Sequence, residues 1–216
     1  MNTQVQTYKE DNKVLKNTYG LLALTTAFSA LMAYVNMFML IKITPILVLG
    51  IYFGMVWFTY KFKDSALGLV GAFAITGLLG FTLGPIIESY ISNINNGGVL
   101  VMQAFLGTAL TFLGVNLYVQ KYKPQLNESW LPILFWTMII SVAIGMVNYY
   151  FLNMSILSVL LSAVILLVSV VYLVFQTNSI INGGETNYIL ATIGIFASLY
   201  NIFVSLLNLL GFASDE

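Results

Sequence analysis

The most constraining feature of this 216-residue chain is its last apolar stretch, residues 187–211. Within it Asn187, Ala191, Gly194, Ser198, Asn201, Ser205 and Asn208 recur at alternating steps of four and three. Such steps place all seven on one face of one helix, and that face is small and polar. The remainder is Ile, Leu, Phe, Tyr and Val. Lipid tails are as apolar as Leu, so helices in a bilayer associate through small, hydrogen-bonding faces. The pattern predicts the core helix of a bundle, with a seam of Gly194, Ser198, Asn201, Ser205 and Asn208 turned to protein and the oily sides turned to lipid.

Composition supports a membrane setting. Hydrophobic residues make up 59% of the chain and charged residues 7%, and the mean hydropathy of +0.91 lies far outside the range of a soluble domain. Six apolar runs precede or adjoin the last one, giving runs at roughly 19–40, 45–60, 66–87, 99–119, 130–151, 156–175 and 188–210. Each is near the length a bilayer requires. The expected architecture is all-α and polytopic, with seven transmembrane helices and the last one central. A cytoplasmic tail at 1–18 precedes a single transmembrane domain at 19–211, and a short C-terminal tail follows at 212–216. The first run is about twice as long as a signal-peptide core, so it reads as a retained anchor. The first eight residues carry too little apolar surface to order themselves.

Lysine sets the expected orientation. Lys9, Lys13, Lys16, Lys61, Lys63, Lys121 and Lys123 fall on the tail side of the runs, and only Lys42 falls on the other. The positive-inside rule then puts the N-terminus in the cytoplasm and the C-terminus outside.

The absences exclude several function classes. The chain has no Cys and no His, which removes thiol nucleophiles, imidazole bases and most metal sites. No span carries the paired Asp of an intramembrane protease or the Lys of a retinal protein. No enzyme, cofactor or metal is expected, and without a basic cluster nucleic acid is not a partner.

Other runs carry their own seams. Gly68, Gly71, Gly77, Gly80 and Gly84 strip side chains from the third and predict close helix contact, in particular with the last helix. Pro85 should kink or end that span. Ser155, Ser158, Ser162, Ser169 and Gln176 share a face of the sixth, and antiparallel packing would bring Gln176 near Ser198. Gly183 and Gly184 permit a turn before the last helix, which Thr186 or Asn187 would cap with Glu185 at its positive end. Glu88, Gln176 and Ser198 are the candidates for a pore or gate; for Glu88 the competing role is an interfacial group that reaches water. Asn116, Asn148 and Gln103 either line a hydrated path or bond between helices. Trp130, Trp136, Tyr118, Tyr122, Tyr149 and Tyr150 read as interfacial anchors.

The run FQTNSIINGGETNYILATIGIFASLYNIFVSLLNLLGFAS at 175–214, with VLKNTY at 14–19, LTTAFSA at 24–30 and AFAITGLLGFTLGPI at 72–86, resembles the Bax-inhibitor family of seven-helix membrane proteins. The resemblance covers almost the whole chain and implies a last helix wrapped by the other six. One branch of the family acts in the bacterial inner membrane on the membrane-anchored AAA protease FtsH. The implied function is therefore binding to that protease complex and restraint of membrane-protein turnover, with the tail as the segment the protease grips. Other members resemble calcium leak channels gated by two Asp, which gives a calcium or proton leak as the alternative. The positions that match those Asp are Gln176 and Ser198 here, and neither titrates.

Overall fold

The computed structural model describes residues 3–214, with side chains from residue 13 onward, and among them every regular element is helical. The helices are α1 (Thr3–Met39), α2 (Pro45–Lys61), α3 (Ala66–Asn93), α4 (Gly97–Tyr122), α5 (Trp130–Val147), α6 (Ser155–Ile181) and α7 (Tyr188–Ser214), with a π-helical turn at Asn148–Leu152 after α5. Six are long and apolar enough to cross a membrane. The seventh, α2, has 17 residues and at 1.5 Å per residue spans about 26 Å, near the lower limit for a bilayer core. The chain is a polytopic all-α membrane protein.

From α2 onward helix starts follow the apolar runs closely, whereas several helices outlast them. Hydropathy marks the part of a helix in hydrocarbon, but backbone bonding continues until a cap stops it. Thus α3 passes through Pro85 and reaches Asn93, so the expected end at Pro85 does not occur. Similarly, α1 begins at Thr3 rather than after eight unordered residues, because adding turns to an existing helix avoids the cost of nucleation. Residues 1 and 2 of the tail, and Asp215 and Glu216, lie outside the described residues.

The chain divides into two compact units. The first comprises α1, α2 and α3 to Glu88, together with Gln176–Ala197; the second comprises Ser89–Phe175 and the chain from Ser198.

In the first unit the glycine face of α3 packs mainly on α1 and α2. A Cβ at Gly77 would lie 2.6 Å from the Phe28 ring. At Gly84 it would lie 2.5 Å from the Ala33 carbonyl oxygen, while Gly80 faces Ser29 and Gly71 faces Thr59. Gly68 reaches α7, where its Cβ would sit 3.1 Å from Ile189 Cδ1. The nearest neighbours of this stripe thus come chiefly from α1 and α2, and the last helix, on which it was expected to lie, enters among them at Gly68. The α1–α2 break depends on Asn36, which is fully buried. Its Oδ1 accepts from Ile41 N at 3.0 Å and its Nδ2 donates to the Ile41 carbonyl at 3.0 Å, which holds the reversal at Leu40 (φ 51°).

The second unit repeats this device with another buried Asn. Asn148 Oδ1 accepts from Met154 N at 3.0 Å, and its Nδ2 donates to the Met154 carbonyl at 3.1 Å and to Ser158 Oγ at 2.8 Å. The turn it holds passes through Asn153 at φ 51°. Of the two roles open to Asn148, bonding between helices is the one observed.

Candidate functional site

The last helix collects the candidate residues. Between Tyr188 and Phe212 no residue of α7 is exposed, and Ile195 and Ile202 are both 0% exposed. The oily sides of α7 are therefore buried or half-buried along with its seam, contrary to the expectation that they turn fully to lipid. Ile195 in the first unit and Ile202 in the second thus fill core rather than face outward.

At its start Asn187 does the capping. Its Oδ1 accepts from Ile189 N (3.0 Å) and Leu190 N (3.1 Å), satisfying two backbone donors that lack helical acceptors. Its Nδ2 donates to the Lys63 carbonyl (3.1 Å) and Asp64 Oδ1 (3.0 Å), tying the α2–α3 connection to the α6–α7 connection. Glu185 Oε1 accepts from Asn187 N at 2.7 Å, which sets a carboxylate at the positive end of the helix dipole. The preceding turn closes α6 through Gly183 at φ 75° and a bond from Gly184 N to the Ser179 carbonyl (2.8 Å), a left-handed C-terminal cap that favours glycine. A cavity of about 500 Å³ lies beside this clasp, lined by residues including Lys63, Asp64, Thr186 and Asn187.

One turn further in, Thr192 Oγ1 donates to the Tyr188 carbonyl (2.7 Å) and to the Thr18 carbonyl of α1 (3.2 Å). The hydroxyls of Thr18 and Thr177 are fully buried without a hydrogen-bond partner. At Gly194 the Gln176 carboxamide occupies the space a Cβ would need. Gln176 thus packs directly on the seam residue one turn before Ser198.

In the second unit Ser198 and Ser205 are buried, and Asn201 and Asn208 are half-buried. Here α7 meets α4, where a Cβ at Gly107 would lie 3.0 Å from Leu206, and the end of α3, where one at Gly211 would lie 2.6 Å from the Tyr90 ring. Glu88 is half-buried on α3, within a helix that continues past it. Trp130, Trp136, Tyr118, Tyr122, Tyr149 and Tyr150 are all exposed, as anchors require.

Chemically, the Gln176 region offers neutral oxygens and amides. Among the described residues no three His, Cys, Asp or Glu side chains gather as metal ligands. Charge placed there would be desolvated without a counter-charge, which is costly. Sequence reasoning had not singled out Asn36, Thr18, Thr177 or Thr192. A carboxamide inside an apolar run just before a chain reversal is the signal that could have found Asn36. A Thr in a spanning helix satisfies its own backbone too often to stand out.

Comparison with known proteins places these features in a family. The model described as inhibitor of apoptosis-promoting Bax1 matches residues 11–215. The chain belongs to the Bax1 inhibitor family. Among the family's proteins, the modulator of FtsH protease YccA from Escherichia coli strain K12 is 45% identical over 208 residues, covering 95% of this chain and 92% of that protein. The inner membrane protein YccA of Escherichia coli O6:H1 matches with the same identity and coverage. An uncharacterised protein of Pseudomonas aeruginosa is 39% identical over 219 residues, covering 100% of this chain and 96% of its own. The seven helices of this Bax1 inhibitor family chain agree with what the resemblance implied.

Proposed function

We propose that this chain is a multi-pass inner-membrane modulator that binds an FtsH-type membrane-anchored AAA protease and restrains its degradation of membrane proteins. The observation that carries the reading is the 45% identity to the Escherichia coli modulator, which runs through 95% of this chain. The physical form of the molecule supports it. The polar tail at 1–18 continues as helix from Thr3 into the first span, so a protease pulling on the tail would pull on α1. The Asn187 clasp joins two connections on the same face of the bundle as the tail, the face that the lysines assign to the cytoplasm. The seam from Gly194 to Asn208 acts as a packing surface within the bundle, and the protein works by binding rather than by catalysis.

Co-purification of the solubilised chain with the protease tests this reading, together with the half-life of a membrane substrate in cells with and without the chain. Association and a shortened substrate half-life on deletion are expected. Lack of association with unchanged turnover would remove the proposal. Deleting residues 2–12 should preserve the fold and lengthen the half-life of this chain in the presence of the protease. Calcium flux in proteoliposomes should equal that of empty vesicles, because Gln176 and Ser198 supply no charge to gate or attract a cation.

A further inference from the structure

The second unit contains a crevice that the protease reading does not use. It lies between α5, the π-helical turn, α6 and Asn208 of α7, and has a volume of about 400 Å³, within the range of small-molecule sites. Its lining runs along α5 from Ser141 to the π-helical turn and along α6 from Ser155 to Ile165. At 1.5 Å per residue the α5 wall is about 11 Å long and the α6 wall about 15 Å, so the crevice reaches from the helix ends well into the spans.

Two observations distinguish this crevice from ordinary packing. The Ser141 and Ser162 side chains line it and are 4% and 8% exposed, and neither hydroxyl is among the fully buried unpartnered oxygens, so what little of each side chain remains accessible opens onto the crevice. Asn208, half-buried on α7, lines the crevice as well. In addition, the mouth is shaped by a π-helical turn, a rare element that recurs at functional sites.

We infer that this crevice binds an uncharged, multiply hydroxylated group, such as a sugar or glycerol moiety. None of its lining residues carries a charge, so an ionic ligand would lose its hydration without compensation. Its polar lining consists of hydroxyls and carboxamides, each of which both donates and accepts. A hydroxylated ligand answers both functions at once. Val142, Leu161 and Ile165 form an apolar wall beside them, against which the carbon face of such a ligand packs. The same chemistry is presented by a free sugar and by the glycerol head of a neutral lipid.

The absence of Cys from the chain allows a direct test. Ser141→Cys and Ser162→Cys, separately, are placed in phosphatidylcholine nanodiscs, and the rate of labelling by a small neutral thiol reagent is measured. The two probes are maltose in solution and dioleoylglycerol in the bilayer. Lys121→Cys, on an exposed residue of α4, reports nonspecific effects. At ten times its half-saturating concentration an effective probe should slow labelling of both cysteines about tenfold by mass action and leave Lys121→Cys unchanged. Protection by maltose identifies a soluble source, and protection by dioleoylglycerol alone identifies a lipid head. Labelling that neither probe slows, or no labelling of either cysteine, overturns the inference. The paired cysteines guard against one variant failing to fold, and the outcome is independent of protease binding.

Discussion

The side-chain amide of Asn36 donates to the Phe81 carbonyl oxygen across 2.7 Å, and Phe81 lies four residues before Pro85. Proline has no N–H, so that carbonyl has lost its helical donor. A residue of α1 replaces it, which is how α3 continues through Pro85 to Asn93.

Asn36→Ala should therefore destabilise the protein by about 2–4 kcal/mol, because it strands the Phe81 carbonyl and both backbone groups of Ile41. In Pro85→Ala the new N–H satisfies Phe81, so Asn36→Ala should cost less in that background. A double-mutant cycle on thermal unfolding in detergent measures the coupling. Additive effects would show that the two residues do not share this carbonyl.

The glycines of α2 and α3 should respond oppositely to the same change. Gly80→Ala would drive a methyl into the Ser29 backbone, whereas a Cβ at Gly50 meets nothing within 4 Å. Gly80→Ala should lower the melting temperature, while Gly50→Ala should raise stability by up to about 1 kcal/mol through helix propensity. Equal shifts would contradict the close α1–α3 contact.

Enclosure of α7 predicts that apolar and polar positions on it are equally sensitive. Ile195→Ala should cost about 2–5 kcal/mol as a core truncation, and Ser198→Leu should also destabilise by overpacking. Retention of the wild-type melting temperature in Ile195→Ala would place that side chain against lipid instead.

Asn187→Ala removes the α7 cap and both bonds to the α2–α3 connection, a loss of about 1–2 kcal/mol. Hydrogen exchange should quicken at the amides of Ile189 and Leu190, which its Oδ1 accepts from. Asn187→Asp keeps the cap but sets a carboxylate beside Asp64, so it should protect those amides yet weaken the join between the connections. Unchanged exchange in Asn187→Ala would mean that the cap is dispensable.

The sequence by itself determined the membrane class, the seven helices, the starting points of all but the first and the small face of the last helix, because burial in lipid imposes a length and an apolarity that the residues carry directly. The enclosure of that helix was legible from Asn187 to Asn208 as a seam. That its Ile195 and Ile202 flanks are covered too was not, since an Ile facing lipid and an Ile facing a neighbouring helix have the same hydropathy. Tertiary structure alone decided which helix each glycine approaches, that Asn36 serves a carbonyl on another helix, that Gln176 fits against Gly194, and that Ser141 and Ser162 open onto a shared crevice. Those facts depend on distances between segments remote in sequence, and a hydrogen bond or close contact exists only where packing brings both partners within a few ångströms.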